Sequence, residues 1–522
     1  MSYQYDVIVI GSGGAGLVAA LTAADLHASV LLISKAPLGL NNCTTYAGGG
    51  FSYAGPGGNQ AEHRAKTLEI GRGINDQSLL TTFSEEGPEA VAKLRQFGVK
   101  LEEYPSGGNV GRATPIPGVG GLGMTLPLVE ELAKRDNIHT LVNHMVVKLL
   151  HDHEHCYGVM SIDLQTGKCE AITAKAVIIA TGGGGRIYSR TNNPHGTTGD
   201  GYHLLAELGL EFRDMEFVQF YPLGLAESDL PLWFMDLGLI DIAPLTDNAG
   251  QEFLKEALLS WGLKSGREGN LYARDRSSIT ILQKWQQGDA AYLHLEQMSK
   301  EDWQHPYYKT LLRLNRPQKF DFTKQPARVK PLQHYMSGGV IIDTHGQTAF
   351  PGVFACGEVT GGVDGANRIG GNALTNITLF GQKAAQAAIA YVNSLTKEPG
   401  AIDLSVNDLN SWQQNINGSN PRALRQRLQQ IMDNNVAPLR EAKGLQEALS
   451  VLNDIGTKIA TLSLDHDASS LREALELRSL HTTACLVTRA ALLREESRGV
   501  HFRNDFPAEN PEWQKTIILK AE

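Results

Sequence analysis

Clustered cysteine is missing from this chain. Its five cysteines, Cys43, Cys156, Cys169, Cys356 and Cys485, are scattered, with no pair at CxxC spacing and no CxxCH haem signature. An odd, dispersed set argues against a disulfide framework and fits a reducing compartment. Positive charge is also short: 47 Lys and Arg face 56 Asp and Glu, a formal net charge of −9. That balance argues against nonspecific nucleic-acid binding. No run of about 18 apolar residues occurs, so no segment is expected to span a membrane. The first residues lead straight into a strand without a basic region or cleavage site. The expectation is a cytoplasmic protein that meets a membrane only through a partner. With 522 residues, two to four domains are expected at roughly 150 residues each. Glycine, by contrast, is abundant at 55 residues, which points to loops where backbone approaches a ligand closely.

The first such loop lies in YDVIVIGSGGAGLVAALTAADLHASVLLISKA (5–36). A continuous apolar run, Tyr5–Ile10, reads as a strand buried on both faces. Gly11, Gly13 and Gly16 then give GxGxxG, an alanine-rich helix starts near Ala15, and Val30–Ile33 is the next strand. A tight turn, close backbone approach and a helix N-terminus together suit a dinucleotide pyrophosphate. The acidic residue that would bind an NAD ribose about 20 residues on is absent, and Ser34 and Lys35 stand there. That argues against a simple NAD enzyme and leaves FAD open.

Other segments repeat the small-residue theme: NNCTTYAGGGFSYAG (41–55), AVIIATGGGG (176–185), TTGDGYHLLAELG (197–209) and PGVFACGEVTGGVDGANRIGGNALTNITLFGQKAA (351–385). In this order, and with DMEFVQFYP (214–222), HYMSGG (334–339) and ESRGVHFRNDFP (496–507), they resemble the succinate dehydrogenase/fumarate reductase flavoprotein family. That family includes L-aspartate oxidase and the soluble fumarate reductases, and the resemblance covers nearly the whole chain. It implies an α/β fold: a Rossmann-like FAD-binding domain (1–225 and 330–395), an inserted α+β capping domain (226–329) and a C-terminal helical domain (396–522). Apolar residues at helical spacing in 471–499 agree with the last part, and GSNPRAL (418–424) reads as a connector with a helix start.

The resemblance also implies roles. Gly11, Ser12, Gly13, Gly14, Ala15 and Gly16 would hold the FAD pyrophosphate, with Ser34 and Lys35 beside the adenosine ribose and Val146 at the adenine. Thr44, Thr45, Gly48, Gly49 and Gly50 would lie along the ribityl and isoalloxazine, near Thr181 and Gly182. Asp200 and Glu358 would bond sugar and ribityl hydroxyls. Asn372, Ala373 and Leu374 would open a helix whose positive end faces the flavin, stabilising its anionic reduced form. The family's histidine for covalent attachment aligns with Cys43, so one noncovalent FAD per chain is expected.

In this family the flavin exchanges hydride with one carbon of a C–C bond, and an arginine exchanges a proton with its neighbour. NLYARDRSS (270–278) resembles the element that makes Arg274 this arginine; the other reading is a surface ion pair with Asp275. His334 and Arg368 match the groups that bind a substrate carboxylate. Three family parts are missing. Tyr221 stands where a second histidine is usual, Trp233 and Phe234 stand near a Thr-Glu pair, and Asp364 replaces the histidine of HGANR. Tyr221, Trp233 and Phe234 would give the far end of the site an apolar wall; alternatively, Trp233 and Phe234 are core of the capping domain. Burying a second carboxylate against such residues would cost several kcal/mol, whereas an apolar group would gain about 1.5–3 kcal/mol.

The expectation is therefore an FAD-dependent oxidoreductase acting on a C–C bond beside a carboxylate or carbonyl, its small-molecule substrate carrying one carboxylate. Fumarate or succinate, L-aspartate, and a flavin subunit docking an iron–sulfur or other electron-transfer partner stay open as alternatives. No metal site is expected in the chain itself.

Overall fold

The computed structural model describes residues 3–111, 119–152, 154–316, 318–396, 418–464 and 468–521. The expected junction at 395/396 borders residues outside that set.

The centre is a seven-stranded sheet. Tyr5–Ile10 pairs in parallel with Val30–Ser34 on one side and with Cys169–Ile179 on the other, and Val30–Ser34 continues in parallel to Ile138–Val142. Val7–Ile10 and Val30–Ser34 are buried throughout, with helix Gly14–Asp25 packed against them. Cys169–Ile179 is long enough for two jobs. Its second half joins the parallel sheet, including Val353–Ala355, and its first half pairs antiparallel with Cys156–Asp163, which pairs with His144–His151. Helix Gly14–Asp25 and the longer helix Asn372–Ser394 pack together. They come so close that a Cβ at Gly381 would lie 2.9 Å from the Ala15 carbonyl oxygen.

The chain leaves this body through strand Val218–Tyr221 and re-enters through Leu332–Met336, which pair antiparallel. Between them lies a separate hydrophobic core running from Leu223 to Val329. It is built from the short sheet Leu245–Thr246, Ala291–Leu293 and Ala327–Val329, with helices Phe253–Ser260, Gly266–Tyr272 and Arg274–Gln286. The C-terminal helices Pro421–Asn435, Ala442–Ile459 and Ala468–Leu493 share the large core instead. Asn420 caps the first of them through Oδ1 to the Arg422 and Ala423 amides, with Pro421 in the first helical position.

The last helix ends at Leu493, the last apolar residue of the 471–499 segment, and an ionic knot follows it. Arg494 bonds Glu216 (2.6 Å) and Glu496 (3.0 Å), and Arg498 bonds Glu496 (2.6 Å), all with buried side chains. Extending the helix would tear these charges apart, and an unpaired buried charge costs several kcal/mol. The knot also fixes Glu216 and Phe217, the residues that lead into the exit strand.

Candidate active site

The glycine turn after the first strand opens a cleft. Gly11, Ser12, Gly13, Gly14, Ala15, Ser34, Lys35, Thr44, Val146, Thr181, Gly182, Asp200 and Glu358 line it. Gly11 has φ of +106°, and a Cβ at Gly16 would sit 1.8 Å from the Gly11 carbonyl oxygen. Gly16 therefore closes the turn by packing and does not line the cleft. Thr45 also faces away, its hydroxyl bonded to Gly39. A Cβ at Gly48 would meet nothing within 4 Å, whereas Gly49 and Gly50 pack against neighbouring chain. Asn372, Ala373 and Leu374 begin the long helix next to this region.

These residues suit a dinucleotide. The helix Gly14–Asp25 presents its N-terminus to the cleft, and the buried Thr181 hydroxyl has no protein partner, which leaves a polar group for a ligand. Burial pushes the Glu358 carboxyl up to about 7, opposed by the Met336 amide that it accepts. Lys35 is tethered by Asp200 (2.6 Å), Thr198 and Glu476. Glu476 reaches the cleft wall from the C-terminal helix, a contribution the glycine motifs do not signal. Cys43 lies in the cleft with Sγ 3.6 Å from the Thr197 hydroxyl, and burial first, then Glu358, pushes its thiol up.

The exit and re-entry strands carry the next group. Gln219 pairs with Tyr335 and Phe220 with Gln333, so His334 is an extra residue in a β-bulge. The bulge sets the His334 ring against Tyr221 (centroids 5.4 Å apart) and Phe234 (6.1 Å), and those two rings touch each other at 5.2 Å. Asn192 Nδ2 lies 3.1 Å from His334 Nδ1. Burial, then Arg368 and Arg274, holds His334 well below its ordinary pKa. It is thus a neutral ring; in the tautomer in which Nδ1 accepts from Asn192, its Nε2–H is free to donate to a carboxylate.

The Trp233 and Phe234 alternatives are resolved by strand alternation. Leu225 N–H donates to the Trp233 carbonyl and Met235 N–H to that of Leu223. Side chains in such a pairing alternate. Trp233 and Met235 therefore pack on the capping core, along with Leu223, while Phe234 turns to the other side. Trp233 is corrected from site wall to core.

Arg368 is also buried. Its guanidinium lies 4.1 Å from the centre of Tyr335, and Nη2 donates to Gln219 Oε1 (3.0 Å). Gln219 is oriented by its own amide nitrogen, which donates to Asn367 Oδ1 and the Arg368 carbonyl. Arg368 Nε is buried without a hydrogen-bond partner, a free donor for an anion. Asp364 does not join this clamp. It is buried, accepts from Tyr335 and Asn372 (both 3.3 Å), and burial raises its pKa.

Arg274 begins helix Arg274–Gln286 in the capping region and reaches across to the loop of Arg368, where a Cβ at Gly370 would sit 2.9 Å from its Nη2. It does not pair with Asp275, which bonds Arg72 at 3.1 Å. Arg274 instead lies over the Tyr221 ring at 4.9 Å and donates from Nε to Asn270. Burial pulls its pKa down to about 10, which makes it a better proton donor than an exposed arginine.

A glycine-turned nucleotide cleft beside two convergent arginines defines a flavin-dependent oxidoreductase. Comparison with known proteins narrows the class. The FAD binding domain family matches residues 6–374, and the fumarate reductase flavoprotein C-terminal family matches residues 425–522. The chain belongs to the succinate dehydrogenase/fumarate reductase flavoprotein family, and FAD is its cofactor. It is 32% identical to one of the subunits of the fumarate reductase (CoM/CoB) of Methanothermobacter marburgensis, over 100% of this chain and 98% of that protein. It is 31% identical to the L-aspartate oxidase of Streptomyces coelicolor, over 99% and 91%. Among solved structures, an E. coli quinol fumarate reductase chain superposes with a TM-score of 0.87 at 26% identity, over 98% of this chain and 93% of that one. No helix among the described residues is long and apolar enough to cross a membrane.

Proposed function

We propose that the protein adds or removes hydrogen across a C–C double bond next to a single carboxylate, its substrate class being alkyl- or aryl-enoates. FAD held in the cleft supplies or accepts the hydride. The protein does the rest. Arg368, through Nε and its terminal nitrogens, and His334, through Nε2–H, bind the carboxylate and polarise the conjugated bond. Arg274 gives the proton to the adjacent carbon in the reducing direction and takes it in the oxidising one. The observation that carries the reading is the pair of Tyr221 and Phe234 rings, 5.2 Å apart, with Tyr221 at the position where the family has a second histidine and Phe234 near that of its Thr-Glu pair. Cys43, a protonated thiol beside Thr197, supports noncovalent FAD. The Phe234 ring has no charge to offer, and the Tyr221 hydroxyl is already committed to Asn270.

The test is a screen of cinnamate, crotonate, fumarate and L-aspartate. Reduced viologen supplies two electrons per double bond in the reductive arm, and oxygen uptake reports L-aspartate oxidation. Faster turnover of cinnamate or crotonate than fumarate is expected; fast fumarate turnover would defeat the single-carboxylate reading. Fumarate is the competing substrate because of the full-length similarity to a fumarate reductase. The dispersed cysteines, with no metal-binding cluster among the described residues, favour electrons passing through a separate iron–sulfur or soluble carrier. Copurification tests that.

A further inference from the structure

We infer that Asn270, with its amide orientation set by Asp236, is the positioning residue that aims Arg274 at the substrate. This rests on the reading of Arg274 as proton donor. A buried, long-stemmed guanidinium needs partners that hold it in one pose. Asn270 sits one turn before Arg274 and accepts from its Nε twice, through the backbone carbonyl (2.7 Å) and through Oδ1 (3.1 Å). The same Oδ1 accepts from the Tyr221 hydroxyl at 2.7 Å.

An asparagine amide can turn over and present NH2 in place of oxygen. Here it is prevented from doing so by Asp236. Asp236 Oδ2 accepts from Asn270 Nδ2 at 2.9 Å, while Oδ1 accepts from the Gly238 amide at 2.7 Å. A carboxylate accepts only, so the NH2 must face Asp236 and the oxygen must face Arg274 and Tyr221. Asp236 is itself held, because its backbone N–H donates to the Tyr307 hydroxyl at 3.0 Å. The outcome is directional. Arg274 is gripped through Nε and over the Tyr221 ring, and its terminal nitrogens are left to face Gly370 and the substrate. A neutral amide does this without a direct ion pair, and burial still outweighs the more distant charge of Asp236, so the Arg274 pKa stays lowered.

The test is Asn270→Leu and the near-isosteric Asn270→Asp in the FAD-loaded protein, with Arg274→Ala alongside, using the fastest of cinnamate, crotonate and fumarate. Both Asn270 variants are expected to keep their FAD and a KM within about threefold of the parent. Their kcat should fall by about 100-fold, the scale of a misplaced catalytic group, and the solvent deuterium isotope effect on kcat should rise as proton transfer becomes limiting. In Asn270→Asp the loss has a different origin: the new carboxylate pairs with Arg274 and repels Asp236. Parental kcat in either variant overturns the inference, as does a slow variant whose isotope effect is unchanged. Parental turnover by Arg274→Ala would overturn the proton-donor reading itself. An inactive Arg274→Ala beside a fully active Asn270→Leu would overturn only the clamp.

Discussion

The two ends of the substrate site are built on different plans. At the Arg368 end the cation comes from the FAD-binding body, is buried, and is over-determined by one amide and one ring: Gln219 aims it and Tyr335 supports it. At the Arg274 end the cation comes from the capping region, and its supports, Asn270, Asp236 and Tyr221, come from the cap and the strand leading into it. The first end retains an unpartnered Nε donor; the second has its hydroxyl and amide groups bonded to one another. Under the roles proposed above, binding and proton transfer would reside on separate structural bodies, so each could be damaged alone.

The largest break is expected from Arg274→Ala. It should lower kcat by about 10²–10⁴-fold, the usual contribution of a positioned acid, while the yellow FAD spectrum and the binding of carboxylate inhibitors survive; a dye-oxidation assay with spectral titration checks both. Next is Arg368→Leu. Losing hydrogen bonds to a charged group costs about 1.5–3 kcal/mol, so kcat/KM should fall by about 10–100-fold for every acid alike, an outcome read from parallel assays on cinnamate and crotonate. Phe234→Ala sharpens the comparison from the other side. It should raise KM about 10-fold for cinnamate but little for crotonate, whose methyl group reaches less of the ring.

The smallest effect is on stability. His334 is held well below the 6.5 of a free histidine. The unfolded chain takes up a proton below that pH and the folded chain does not, so this stability is present above pH 6.5 and is lost as pH falls, by at most about 1.4 kcal/mol per pH unit. Thermal melts between pH 7 and 5 should show His334→Gln with a shallower decline than the parent, and His501, lowered in the same direction, should account for part of the slope that remains.

Much of this is legible in the chain. The strand, glycine turn and helix at the start form a local pattern with a local cause, and the nucleotide cleft follows from it. Arg274, His334 and Arg368 lie in short motifs, and the structure brings them together. Trp233 and Phe234 are ambiguous in sequence because their placement depends on one residue of strand register, which is a property of the pairing with Leu223 and Leu225 and is invisible in the local composition. Asn270, Asp236 and Gln219 escape a sequence reading for a related reason. Each is a polar residue with no motif of its own, and its role exists only where distant segments meet. The end of the last helix is legible, because apolar residues stop at Leu493, but the pairing of Arg494 with Glu216, 278 positions earlier in the chain, is not.

The bulge at His334 has a bearing on how such a site can change. Because the extra residue stands outside the ladder, the backbone pairing of the two strands does not depend on its side chain, which packs on Tyr221. Position 334 is therefore a socket, into which other polar or apolar groups can be fitted without disturbing the seam through which the chain enters and leaves the cap. A change of substrate would need a new side chain there and at Phe234, and no rebuilding of the sheet.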